Sequence, residues 1–232
     1  MAVIRIPHVC YDLWLILSLL FSVDSLSPVA RRNFIQTSSN VATASFLSTA
    51  FPANAAYIDP NTDLPKITDR VYIDVQLSTG EEGRIEMGLF GELLPRVTEN
   101  FVALCKSNKY AGTTFYRVIS DLTIQGGAIG DDTGKTGISS FGNTFEPDNF
   151  NVKHNRAGLV SMVRATNGGV DSRFFINTVE DGGWGDDRYA AFGIVEDETS
   201  MKFVHAIEKV KVKPPQNNPK EPVRITASGV LN

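Results

Sequence analysis

The chain has 232 residues, a formal net charge of −4, 42% hydrophobic and 21% charged residues, and no long low-complexity tract. That is the composition of an ordinary globular protein, and its acidic balance supplies no electrostatic reason to hold nucleic acid or an anionic lipid surface. Two cysteines, Cys10 and Cys105, and three scattered histidines, His8, His154 and His205, offer neither a disulfide framework nor zinc-ligand spacing, so no metal or other cofactor is expected.

Near the N-terminus, Leu13 to Phe21 is a short apolar run behind Arg5. It falls short of the roughly 20 apolar residues a bilayer span needs but fits the core of a signal peptide. Arg31-Arg32 follows, then a Ser/Thr/Ala-rich stretch from Val41 to Phe51 without an acidic residue, closing on Ala53-Asn54-Ala55. That order resembles a twin-arginine export signal with its cleavage site. Residues 1–55 are therefore expected to be a removed targeting region, 56–69 an extended lead-in carrying Pro60 and Pro65, and 70–232 the functional domain. Two export signals in series suit a protein that crosses several membranes, as one bound for the thylakoid lumen of a complex plastid would, with the secretory pathway as the alternative. The mature protein is expected to be a monomer without a stable membrane span.

Val71, Ile73, Val75 and Leu77 alternate with polar residues and predict a half-buried strand. Glu81-Glu82-Gly83 reads as a turn, and Ile85, Met87 and Leu89 as the returning strand of a hairpin. Pro95 and a Thr98 N-cap open a predicted helix with Phe101, Leu104 and Cys105 on one face. Short apolar runs follow at Phe115–Ile119, Leu159–Val163, Phe174–Thr178, Ala191–Val195 and Val223–Ala227. A second helix is predicted over about 199–210, burying Phe203, Val204 and Ile207. The stretch from Lys213 to Pro222 reads as a loop, with a contact site as the alternative. Many short strands with two helices predict an all-β domain, a closed antiparallel barrel capped by helices.

The chemistry-bearing motifs come next in order. Phe115-Tyr116-Arg117-Val118-Ile119 leads into Gln125-Gly126-Gly127. Phe141-Gly142-Asn143-Thr144-Phe145-Glu146, Lys153-His154 through Gly158-Leu159-Val160-Ser161-Met162, Ser172-Arg173-Phe174-Phe175-Ile176 and Ala191-Phe192-Gly193 follow. Together they resemble the cyclophilins, peptidyl-prolyl cis-trans isomerases, and in particular those of the plastid thylakoid lumen. The resemblance implies a closed eight-stranded antiparallel barrel with a helix at each end and a groove on its outside. It implies Pro-containing polypeptides as partners, Arg117 as the catalytic residue and Phe175 in the proline pocket. Leu122, Thr123, Gln125, Val163, Arg164, Arg173, Trp184 and Tyr189 would complete the substrate groove.

The family usually has phenylalanine and methionine where Leu122 and Thr123 stand, asparagine at Arg164, glutamine at Arg173 and histidine at Tyr189. These departures make the walls smaller and bring two extra positive charges toward Arg117. The alternative reading is therefore a catalytically weak scaffold that holds Pro-containing segments of a photosynthetic assembly. Elsewhere the glycine pairs read as turns, Asp186-Asp187 as a solvated loop rather than a cation site, and Ser172, Asp171 and His205 as no hydrolase triad, because the nucleophile-elbow pattern is missing.

Overall fold

The structure, a computed structural model, describes residues 64–232. The expected targeting region 1–55 and the start of the 56–69 lead-in lie outside the described residues. Residues 64–68 have no regular secondary structure, and the sheet starts with β1 (Asp69–Gln76).

In β1, Val71, Ile73 and Val75 are buried, and the strand pairs antiparallel with β2 (Glu82–Leu89). The turn between them lies at 77–81, starting four residues before the expected Glu81-Glu82-Gly83. Leu77 N–H donates to Glu81 O, and Gly80 takes the positive φ of 87° that the reversal needs. Gly83 belongs to β2, where a Cβ would lie 2.3 Å from the Phe203 ring, so its glycine answers a packing demand.

Helix α1 (Pro95–Lys106) buries Val97, Phe101, Leu104 and Cys105. Its cap is not Thr98, which lies inside the first turn. Pro95 opens the helix, as its fixed φ and missing N–H allow, and the Asp148 carboxylate accepts the amides of Arg96 and Val97 at 3.1 and 3.0 Å. Helix α2 (Glu198–Glu208) is capped locally by Asp197, which accepts the Ser200 amide at 2.9 Å, and it buries Phe203, Val204 and Ile207.

The other strands are β3 (Phe115–Ile119), β4 (Thr123–Gly126), β5 (Leu159–Arg164), β6 (Val170–Asn177), β7 (Ala191–Val195), β8 (Val212–Lys213), β9 (Asn218–Pro219) and β10 (Arg224–Leu231). Eight of them form one antiparallel sheet in the order β10-β1-β2-β7-β5-β6-β4-β3. The expected closed barrel is corrected here: the sheet is curled but open. Its two edge strands, β10 and β3, form no ladder, and the chain meets across the gap only at the Thr114–Arg224 bridge and its neighbouring bonds. The reason is competition for the edge of β3. Beyond Phe115 that edge bonds to the β8–β9 hairpin, with Val118 N–H donating to Asn217 O and the Asn218 side chain donating to Tyr116 O. The stretch read as a loop over 213–222 is thus partly this hairpin.

Helix α1 packs against β10, β1 and β6, and α2 against β2, β4 and β3. Phe101 of α1 sits at the centre of an aromatic cluster, its ring 5.2 Å from Tyr110, 5.4 Å from Phe174 and 4.9 Å from Phe192. Such rings contribute beyond the apolar area they bury. Gly127 completes the arrangement at φ 77°: a Cβ there would lie 2.6 Å from a Phe174 ring carbon, so only glycine lets the chain pass. Phe101→Ala is expected to cost about 3–5 kcal/mol of stability, read as a lowered midpoint in chemical denaturation. A loss below about 1 kcal/mol would show that the cluster is not the core's anchor.

Candidate active site

Strand β6 is buried on both faces, and successive side chains on a strand point to opposite sides. Phe174 enters the aromatic core, while Phe175 turns to the other face. Directly paired residues share a face, and the register sets Arg117 of β3 beside Gln125 of β4, Gln125 beside Phe175 of β6, and Phe175 beside Ser161 of β5. One row across four strands therefore carries a guanidinium, an amide, an aromatic ring and a hydroxyl. Over it lies a cavity of about 230 Å³ lined by Arg117, Ile119, Leu122, Thr123, Gln125, Val163, Arg164, Phe175, Trp184 and Tyr189. Nine of the ten residues expected in the groove meet there, together with Ile119.

Leu122 reaches the cavity from the β3–β4 turn, which α2 holds in place. Glu208 accepts the Asp121 amide at 2.7 Å and the Thr178 hydroxyl at 2.5 Å, and Thr178 N–H donates to Leu122 O. Burial alone would raise the Glu208 pKa, but bonds from Thr178, His205 and the Asp121 amide outweigh it and hold the carboxylate below its ordinary value. On the other side, Trp184 stands on a 3-10 turn (Gly183–Gly185), with its ring 5.6 Å from Phe175 and 5.6 Å from Tyr189. Tyr189 meets Phe175 edge-on at 5.2 Å.

Beneath this box lies a residue to which the sequence assigned no role. His154 is fully buried, stacks at 16° on Phe175, and bonds through Nε2 to the Ser161 hydroxyl at 2.8 Å. Asp186 accepts the His154 amide at 2.7 Å and faces its Nδ1 at 3.2 Å. Asp186 is therefore part of the support of the pocket rather than an idle loop acid, while Asp187 pairs with Lys153. The only available signal was His154 itself, set in the Lys153-His154 run.

The arginines separate by their partners. Arg173, expected in the groove, does not line this cavity. It is buried, forks onto Asp171 at 2.7 Å, and donates to the carbonyls of Gly134 and Lys135. Its charge is thus balanced inside the protein. Arg164 lines the cavity but donates to Gly168 O at 2.9 Å, with its guanidinium 5.5 Å from the Phe150 ring. Arg117 is exposed and, among the described residues, has neither a hydrogen-bond acceptor nor a carboxylate partner. Of the three, the arginine expected to be catalytic is the one whose side chain has no partner among the described residues.

Among the described residues, the groups that would make a hydrolase triad are committed elsewhere. Ser172 Oγ accepts the amides of Ile129 and Ile138, Asp171 is committed to Arg173, and His205 bonds to Glu208. Burial pushes the Cys105 thiol well above its usual pKa. Among the described residues no cluster of His, Cys, Asp and Glu is disposed to hold a metal ion, and no helix is long and apolar enough to cross a membrane.

Comparison with known proteins bears on the same residues. Peptidyl-prolyl cis-trans isomerase B of Saccharomyces cerevisiae is 36% identical over 167 residues, covering 70% of this chain and 80% of the relative. Peptidyl-prolyl cis-trans isomerase D of the same yeast is 41% identical over 171 residues, covering 72% of this chain and 74% of the relative. Residues 72–230, from β1 to β10, match the family described as cyclophilin type peptidyl-prolyl cis-trans isomerase/CLD. With an eight-stranded antiparallel sheet, two helices and that match across nearly all the described chain, the protein belongs to the cyclophilin-type peptidyl-prolyl cis-trans isomerases.

Proposed function

We propose that this chain isomerises X–Pro bonds in the cavity over the Arg117–Gln125–Phe175 row, with Arg117 as the catalytic residue. The observation that carries the reading is the exposed guanidinium of Arg117, without a partner among the described residues, at a cavity of about 230 Å³ lined by Phe175, Trp184 and Tyr189. An X–Pro bond populates both isomers but exchanges them in tens to hundreds of seconds. The barrier, roughly 18–20 kcal/mol, is amide resonance. Phe175, Trp184, Tyr189 and Leu122 seat the pyrrolidine ring and exclude water, and Gln125 and the β5 edge at Val163 hold the flanking chain. Arg117 donates to the prolyl nitrogen or carbonyl and favours the twisted amide over either planar isomer. No bond is broken, and no base, nucleophile or metal takes part.

The smaller Leu122 and Thr123 side chains leave this pocket shallower on one side, and Tyr189 offsets that with an aromatic edge against Phe175. Arg117→Ala is expected to lower kcat/KM for an Ala-Pro test peptide by about a hundredfold or more while leaving the melting temperature unchanged. A full rate in that variant would remove Arg117 from the reaction. A rate at background in both proteins would favour the scaffold reading.

Burial lowers the pKa of His154, against the raising influence of Asp186, so the ring beneath Phe175 is neutral at pH 7. The unfolded chain takes up this proton near pH 6.5, and the folded protein only at lower pH. Stability from this group is therefore complete above about pH 6.5 and is lost as pH falls, by at most about 1.4 kcal/mol per unit. In denaturant titrations at pH 7.5 and 5.5, wild type should lose more stability than His154→Gln. Equal losses would show that His154 is not held neutral.

We also propose the thylakoid lumen of a complex plastid as the site of action, supported by the serial signals at Leu13 to Phe21 and at Arg31-Arg32 to Ala55. Mass spectrometry of protein isolated from its cells should find an N-terminus near Ala56. Intact residues 1–55 would overturn this.

A further inference from the structure

Beside the proline pocket lies a second cavity, of about 650 Å³. The two share Arg117, Gln125 and Val163, and the far wall of the second is built by Lys135, Gln216 and Asn218. No carboxylate lines it among the described residues, while two of its lining side chains, Arg117 and Lys135, are cationic. Of the adjacent acids, Asp131 and Asp171 are already occupied, while the exposed Asp132 lines a neighbouring cavity with Tyr116 and Asn218 rather than this one. Asp131 accepts the amides and hydroxyls of Thr133 and Thr136, and Asp171 is paired with Arg173. The Tyr116 hydroxyl, from another lining residue, is buried without a partner among the described residues. In a chain of net charge −4, this concavity is a local positive spot.

Its wall is also anchored. Arg173, fixed by Asp171, donates to Gly134 O at 3.1 Å and to Lys135 O at 2.6 Å. The Tyr116 ring packs on Gly134, where a Cβ would lie 2.2 Å from it. The backbone that presents Lys135 is thus held by a buried ion pair on one side and an aromatic ring on the other. A fixed backbone behind an exposed ammonium is suited to reading charge.

We propose that this second cavity is a subsite for a residue flanking the X–Pro bond and that it selects a carboxylate side chain, with Lys135 as the specificity-determining residue. The proposal rests on the neighbouring pocket being the proline site. Its test is a set of Xaa-Pro peptides carrying Glu, Ala or Lys on either side of the dipeptide, assayed with the full chain and with Lys135→Glu at low and high salt. Wild type should favour Glu over Lys by about fivefold in kcat/KM on one side of the bond. That ratio should shrink with salt and fall to one or below in Lys135→Glu. Turnover of the Ala peptide with equal Glu and Lys rates, or a ratio that Lys135→Glu leaves unchanged, would overturn the subsite alone. If no peptide turns over, the isomerase reading fails, and fluorescence anisotropy with the same peptides, labelled, then reads the subsite without turnover. Glu peptides bound no tighter than Lys peptides would overturn it.

Discussion

Phe174 and Phe175 are neighbours in sequence and stand on opposite faces of the most buried strand of the sheet. One ring closes the aromatic core with Phe101, Tyr110 and Phe115; the other is the floor of the pocket. Because the side-chain period of a strand is two, a one-residue slip of β6 would bring either Arg173 into the aromatic core or Ile176 to the pocket in place of a ring. The core therefore holds the floor of the site in register, and the ladders to β4 and β5 carry that register outward to Gln125, Arg117 and Ser161. Site geometry here is a by-product of packing on the reverse side of the sheet.

Charge is arranged by the same economy of partners. A buried guanidinium without an anion is strongly unfavourable, and Arg173 meets Asp171 two residues earlier on the same strand face. Its remaining donors bind backbone carbonyls of the loop above. The exposed Arg117 has no such commitment and remains available. Two arginines that look alike in sequence thus divide into one that holds structure and one left exposed beside the cavity, and what divides them is the presence of a carboxylate on the same face.

Much of this was readable from the chain. β1 alternates because only one of its faces is buried, and the motifs around Arg117, Gln125, Phe175, Trp184 and Tyr189 pointed to a set that does converge on one cavity. The failures share a cause, which is contact between residues distant in sequence. Asp148 caps α1 from 51 residues downstream, Phe203 of α2 explains Gly83, and the β8–β9 hairpin takes the edge of β3 that a closed barrel would have used. No local pattern encodes these. Arg173 is different: Asp171 at i−2 on a strand lies on the same face, so the spacing itself carried the sign of an ion pair.

Trp184 gives the site an optical property. Of the two tryptophans in the chain, Trp14 lies outside the described residues, and Trp184 stands at the rim, 37% exposed and in contact with Phe175 and Tyr189. In a protein trimmed of residues 1–55 its indole is the sole emitter excited at long ultraviolet wavelengths. A peptide lying over the groove changes the solvent contact of that one ring, so occupancy is written into the intrinsic fluorescence without any label.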